Sequence, residues 1–151
     1  MEVFSIRSCE AGDLPVVLDL MVQLSESAHS APDFTLEGLS RLFAEMDQAP
    51  AFYTNLVAVC DHQVAGFISV IFYKTLFHHG GTALINELVI SQAFRGRGIG
   101  QALVAKAGEE ALSRGMDEIE VGTEYENLPA RSFYQKCGFD QEYVLLVLEF
   151  D

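Results

Sequence analysis

Arg95-Gly96-Arg97-Gly98-Ile99-Gly100 stands between an apolar, β-rich run and a stretch with helical spacing. Glycine lets backbone N–H groups approach a ligand with no Cβ in the way. At a helix N-terminus those N–H groups lack intrahelical partners, and the macrodipole favours an anion there. Arg95 and Arg97 could each add a charge-assisted hydrogen bond, worth about 1.5–3 kcal/mol when well placed. The chemistry suggested is binding of a phosphate or pyrophosphate; a purely structural turn is the competing reading. Two common phosphate loops do not fit. Gly100-Gln101-Ala102 lacks the Gly-Lys-Ser/Thr ending of a P-loop, and Gln101 stands where a dinucleotide fingerprint needs its third glycine.

The elements that must position this turn follow from periodicity. Residues 3–7 read as a strand. Asp13 can cap a helix with Pro15 in its first turn, and Leu14, Val17, Leu18, Met21 and Leu24 form its apolar stripe. A second helix is expected over about 36–46. Residues 53–60 and 64–73 are β-rich and joined by Asp61-His62-Gln63, as in an antiparallel hairpin. Another strand covers 83–90, and the glycine turn then opens a helix to about Arg114. A strand over 118–123 precedes a short helix with Asn127 as its cap and Pro129 in its first turn. The run 143–150 reads as a last strand. The order βααβββαβαβ implies an α/β domain with a mixed sheet, and 1–151 read as one domain.

Composition narrows the classes. The chain has 151 residues, is 50% apolar and carries a formal net charge of −13. Such a field repels nucleic acid and anionic membranes. No run suits a membrane span, and the N-terminus does not read as a signal peptide. Cys9, Cys60 and Cys137 give neither a disulfide framework nor a C-x-x-C pair, so the expected setting is reducing and cytoplasmic. Six of the nine basic residues lie between 95 and 136, which either gathers cations around an anion or decorates helix surfaces. His29, His78 and His79 stand at no metal-ligand spacing.

The spacing Arg95-x-x-Gly98-x-Gly100 after the 84–90 strand resembles the (Q/R)-x-x-G-x-(G/A) signature of the GNAT superfamily of N-acetyltransferases. Downstream, Asn127-x-x-Ala130-x-x-x-Tyr134-x-Lys136-x-Gly138-Phe139 resembles that family's second hallmark. The resemblance covers nearly the whole chain. It implies a mixed sheet of antiparallel strands with a splayed parallel pair, flanked by helices. It implies that the turn formed by Arg95, Gly96, Arg97, Gly98, Ile99, Gly100 and Gln101 holds the pyrophosphate of acetyl-CoA. Pantetheine would lie in the splay beside Leu88, Val89 and Ile90, with Asn127 and Ala130 along its arm and the thioester near Tyr134. Asn127 could equally be a helix cap alone.

The resemblance makes Tyr134 the expected general acid for the departing thiolate. An alkylamine acceptor, with a pKa of about 10.4, must first lose a proton. Glu87, a carboxylate among apolar strand neighbours, is the expected base or water-positioner, with Glu124 and Glu126 as second choices. Simple alternation puts Leu84, Asn86, Leu88 and Ile90 on one face, and Ala83, Ile85, Glu87 and Val89 on the other. The net charge, with Glu26, Asp33, Glu37, Glu124 and Glu126 toward the acceptor side, points to a cationic amine such as a polyamine, an aminoglycoside-like molecule or a Lys-bearing peptide. Alternatives are an acyl-CoA-binding sensor without catalysis and a nucleotide-phosphate enzyme using the glycine turn alone. With one strand expected after Phe139 where the family usually has two, the acceptor pocket is left open and an edge remains for a homodimer.

Overall fold

The structure, a computed structural model, describes residues 3–26 and 33–150; His29 lies outside them. The elements are β1 (Phe4–Ser8), α1 (Leu14–Ser25), α2 (Leu36–Asp47), β2 (Tyr53–Cys60), β3 (Gln63–Tyr73), β4 (Thr82–Ile90), α3 (Ile99–Ser113), β5 (Glu118–Val121) and α4 (Leu128–Lys136). The five strands lie in chain order across one sheet. β1 to β4 are antiparallel neighbours, and β5 joins β4 in parallel through the α3 crossover.

Each face of the sheet buries its own cluster. On one side Leu56, Ile68, Val70, Phe72, Ala83 and Ile85 pack against Ile99, Leu103, Ala107 and Ala111 of α3. The four-residue repeat of those α3 side chains gives the helix a single apolar stripe. On the other side Val57, Phe67 and Val89 pack against Leu14, Val17, Leu20 and Met21 of α1. The β2–β3 hairpin is tighter than expected, because Gln63 pairs with Cys60. Its turn is therefore Asp61-His62 alone, both left-handed with φ 51° and 63°.

Three expectations are corrected. Asp13 stands at the N-terminus of α1 but does not cap it. Its carboxylate instead accepts the Glu10 N–H (2.8 Å) and the fork of Arg7 (2.7 and 2.9 Å). Here an ion pair outcompetes the local cap.

The alternation assumed for β4 also fails. Ser69 pairs with Glu87 but Val70 pairs with Ile85, so Asn86 is an extra residue in a bulge. Such an insertion reverses which face the following side chains take. Ile85 and Leu88 consequently join the same α3-side cluster, while Val89 joins the α1 side.

Residues 143–150 form no strand in the chain, and Tyr143, Leu146 and Phe150 are 84%, 88% and 90% exposed. Their β-rich composition is real, but no sheet edge within the chain receives them.

Candidate active site

The turn after β4 and the start of α3 form one wall of a cleft of about 810 Å³. Gly96 and Gly98 have φ of 79° and 80°, the left-handed conformation that an L side chain enters at a cost of about 1–2 kcal/mol. Gly98 occupies the N-cap position of α3, and no side chain caps the helix there. The first-turn N–H groups thus keep the unsatisfied donors expected at a helix start. Gly100 has a different task. A Cβ there would lie 3.3 Å from Cζ of Phe133 and 3.5 Å from Cγ1 of Ile90. Its small size lets α4 approach the start of α3, bringing the two sequence motifs to one place.

β4 and β5 are hydrogen-bonded only from Thr82/Glu118 to Ile85/Val121. Beyond that point β5 stops while β4 continues through Leu88, Val89 and Ile90, all three of which line the cleft. An extended ligand could pair with this strand edge. Arg95 Nε donates to the Ile90 carbonyl (3.2 Å) and ties the turn to the strand end.

The cleft gathers Leu88, Val89, Ile90, Arg95, Gly96, Gly98, Ile99, Gly100, Gln101, Asn127, Ala130 and Tyr134 from the sequence reading. Arg97 is not among the lining residues; its guanidinium lies over the Phe94 ring at 5.1 Å. The wider basic cluster is also largely engaged elsewhere. Lys106 pairs with Glu109, Arg114 with Glu110 and the Phe72 ring, and Arg131 with Glu142. Of the expected cationic group, Arg95 is the member that lines the cleft.

Asn127 Oδ1 accepts the Ala130 N–H at 3.2 Å, so it caps α4, and it also lines the cleft. Tyr134 is held by edge-on contacts with Phe133 and Phe139, at ring separations of 5.1 and 5.5 Å. Burial, with a smaller contribution from Cys137, pushes its phenol up to about 12. The phenol is therefore fully protonated at neutral pH.

Glu87 does not line the cleft. It shares its β4 face with Val89, which does, about 7 Å further along at the usual strand rise. No hydrogen bond or ion pair from another described residue reaches its carboxylate, and burial raises its pKa above the ordinary glutamate value. In register with Glu87 are Ser69 on β3 and Asn55 on β2. The buried Ser69 Oγ and Asn55 Oδ1 have no hydrogen-bonding partner among the described residues. This polar row crosses an otherwise apolar face. Sequence reading missed Ser69 and Asn55 and the place of Gln23 and Leu24; these two, with Glu26, which it placed toward the acceptor side, bring the end of α1 to the cleft.

The other acidic and imidazole candidates lie apart. Glu124 and Glu126 are exposed in the loop before α4, and His78 Nε2 pairs with Glu118 at 3.2 Å. No group of three potential metal ligands occurs among the described residues, and no helix among them is long and apolar enough to cross a membrane.

Residues 18–139 match the acetyltransferase (GNAT) family, and the chain belongs to it. It is similar to glucosamine 6-phosphate N-acetyltransferase 1 of Oryza sativa subsp. japonica, 29% identical over 99% of this chain and 88% of the relative. An uncharacterized N-acetyltransferase of Methanocaldococcus jannaschii is 43% identical over 42% of this chain, a match spanning 28% of that protein. The crystal structure of glucosamine-6-phosphate N-acetyltransferase from Arabidopsis thaliana superposes with a TM-score of 0.83 at 25% identity, covering 99% of this chain and all of that one. The chain is thus an acetyltransferase enzyme with the mixed, partly parallel sheet of its relatives.

Proposed function

We propose that this enzyme transfers acetyl from acetyl-CoA to a primary amine by direct attack. The observation carrying the reading is the joining of three features in one cleft: an uncapped glycine turn, an unpaired strand edge and a protonated tyrosine. The turn, with Arg95, would take the pyrophosphate. The edge at Leu88, Val89 and Ile90 would take the amide groups of pantetheine. Asn127 and Ala130 would flank the arm, and the thioester would lie beside Tyr134.

The proton ledger assigns the roles. An ammonium acceptor gives one proton through water to Glu87, whose burial raises its basicity. The neutral nitrogen attacks the thioester carbonyl carbon, a C–N bond forms and the C–S bond breaks. Tyr134 donates to the sulfur as thiolate develops. The proton still on the nitrogen replaces the one Tyr134 gives up, and Glu87 returns its proton to solvent. The three cysteines take no part, since Cys9 and Cys60 are buried and none lines the cleft.

For the acceptor, the relatives named for glucosamine 6-phosphate make an amino sugar phosphate the first test compound. The net charge of −13 favours a cationic amine instead. The reading is tested by thiol release from acetyl-CoA against glucosamine 6-phosphate, polyamines, aminoglycosides and Lys peptides, with Tyr134→Phe in parallel. Turnover with one class, lowered in Tyr134→Phe, supports it. No acetyl-CoA binding by calorimetry overturns it.

A further inference from the structure

On the α1 side of the sheet the side chains stand in rows. One row is Val57, Phe67 and Val89, paired strand to strand and packed in the core under α1. Two residues away on each strand, the next row is Asn55, Ser69 and Glu87. Alternation puts it on the same face, and every member is polar. The bulge at Asn86 is what sets Glu87 opposite Ser69. Side chains paired in this way lie about 4.5–5.5 Å apart at Cβ.

The row is closely set, yet its members do not bond to one another. Ser69 is 2% exposed, and neither its Oγ nor Asn55 Oδ1 has a hydrogen-bonding partner among the described residues. Burial alone raises the Glu87 pKa, so no charged neighbour answers its carboxylate. Around the row α1 and α2 contribute Val17, Leu20, Met21, Leu39 and Phe43. Cys9, in the same cluster, is kept neutral by burial, its thiol pushed up to about 12. A hydroxyl, an amide oxygen and a carboxylate set side by side without partners are costly to keep dry. Buried water bonded to several of them removes that cost.

The row ends at a second cavity. Asn55 and Met46 line a space of about 240 Å³ between β2 and the end of α2, together with Ser8, Thr54 and Asp47. Asp47 is exposed, so this cavity opens to solvent. Asn55 Nδ2 donates to Met46 Sδ at 3.6 Å. A thioether sulfur only accepts, which assigns the amide and leaves Oδ1 to accept from a water. Neither Asn55 nor Ser69 lines the cleft.

We propose that Ser69 and Asn55 are positioning residues: they hold a short file of buried waters that joins Glu87 to the second cavity, and protons collected by Glu87 leave along it. The proposal rests on Glu87 being the base. One water lies between Glu87 and Ser69, the next between Ser69 and Asn55. The Glu87 carboxyl gives its proton to the first water, and that water passes one to Ser69 Oγ. The original Ser69 O–H proton goes to the second water and on to the cavity. Asn55 Oδ1, an acceptor only, orients that second water. Glu87 ends as carboxylate, Ser69 as hydroxyl, and one proton has reached solvent. The base is thereby reset while both substrates still fill the cleft.

The test uses the full chain with carbon-13 in its glutamate carboxyl groups, and Glu87→Gln assigns the Glu87 signal. In the free enzyme a long-lived water should show a nuclear Overhauser contact with the Ser69 amide proton. Ser69→Ala removes only the hydroxyl. It strips the carboxylate of a water bond and should raise the Glu87 pKa by about 1–2. Asn55→Leu, similar in shape and outside the cleft, should move it the same way. In thiol-release assays the acidic limb should move with the carboxyl, with the acetyl-CoA KM unchanged. No long-lived water at Ser69, or a Glu87 titration unchanged in Ser69→Ala, would overturn the proposal. A response to Ser69→Ala alone would overturn the link to the second cavity. A carboxyl that moves while the limb stays would show that Glu87 is not the base and would sink the proton route with it. The bound water distinguishes that failure from the first.

Discussion

Replacing Tyr134 by phenylalanine removes one oxygen and leaves the ring. The edge-on contacts with Phe133 and Phe139 belong to the ring, so fold and acetyl-CoA affinity should change little. The magnitude follows from the phenol's pKa of about 12. An alkyl thiol ionises near 8.5, so complete transfer from phenol to thiolate is uphill by roughly 3.5 units, on the order of 5 kcal/mol. Tyr134 therefore acts chiefly as a hydrogen-bond donor to the developing thiolate, its proton moving fully only as the nitrogen proton replaces it. One hydrogen bond to a charged group is worth about 1.5–3 kcal/mol. The expected loss in kcat is about 10- to 150-fold, around or below the lower end of the roughly 10²–10⁴ range for full general acid catalysis. Thiol release at saturating acetyl-CoA measures kcat, and calorimetry measures binding. Because the protonated phenol is the active form, it loses function only as pH rises through about 12. The wild type should then show no alkaline limb from Tyr134 below pH 10. A kcat within twofold of wild type would refute the role. An alkaline limb near pH 8–9 that vanishes in Tyr134→Phe would refute the pKa argument.

Glu87→Gln should abolish the acidic limb of the pH–rate profile, which in the wild type is shifted upward from the ordinary glutamate value because burial raises this pKa. The raised pKa means that ionised Glu87 opposes folding. The same variant should therefore gain stability over wild type above the folded-state pKa and show no gain at pH 4, as read by urea denaturation. Arg95→Ala should weaken acetyl-CoA binding about tenfold, one charge-assisted hydrogen bond, whereas Arg97→Ala, off the cleft wall, should change it less than threefold; titration calorimetry separates them. Asp13→Asn should destabilise the fold by about 1–2 kcal/mol at pH 7. The Arg7 fork and the Glu10 N–H depress the Asp13 pKa, so its contribution is present above pH 4 and lost as pH falls through the folded-state value. The gap between variant and wild type should then narrow as pH falls below 4.

The glycine turn, the Asn127 cap and most of the element order were legible because local chemistry determines them. Asn127 caps because its side chain reaches the Ala130 N–H within one helical turn. The β4 bulge was not legible, since an inserted residue leaves no mark in a run of strand formers; only its partner's register reveals Asn86 as extra. Asp13 misled because the ion pair that claims its carboxylate comes from a residue on another element. Ser69 was hidden as one polar residue in a strand, and its meaning depends on Glu87 lying opposite. The run 143–150 was read as a last strand and forms none, because composition supplies strand formers but does not say which edge accepts them.

The insertion at Asn86 gives β4 a point where residue count outranks residue identity. Upstream, Ala83 and Ile85 belong to the α3 layer; downstream, Leu88 and Ile90 return to it, and Val89 serves α1. Adding a residue beside Asn86, with the one-residue bulge kept, would leave every apolar side chain in the chain, yet alternation would turn Glu87 into the α3-side core and Leu88 toward α1, whereas deleting Asn86 would keep both on the faces they now take. Substitutions at this position are cheap, because its side chain is exposed, whereas an added residue is not. Drift in this stretch is therefore tolerant of spelling and intolerant of insertion: residue 86 can change its letter freely, but the strand cannot gain one beside it.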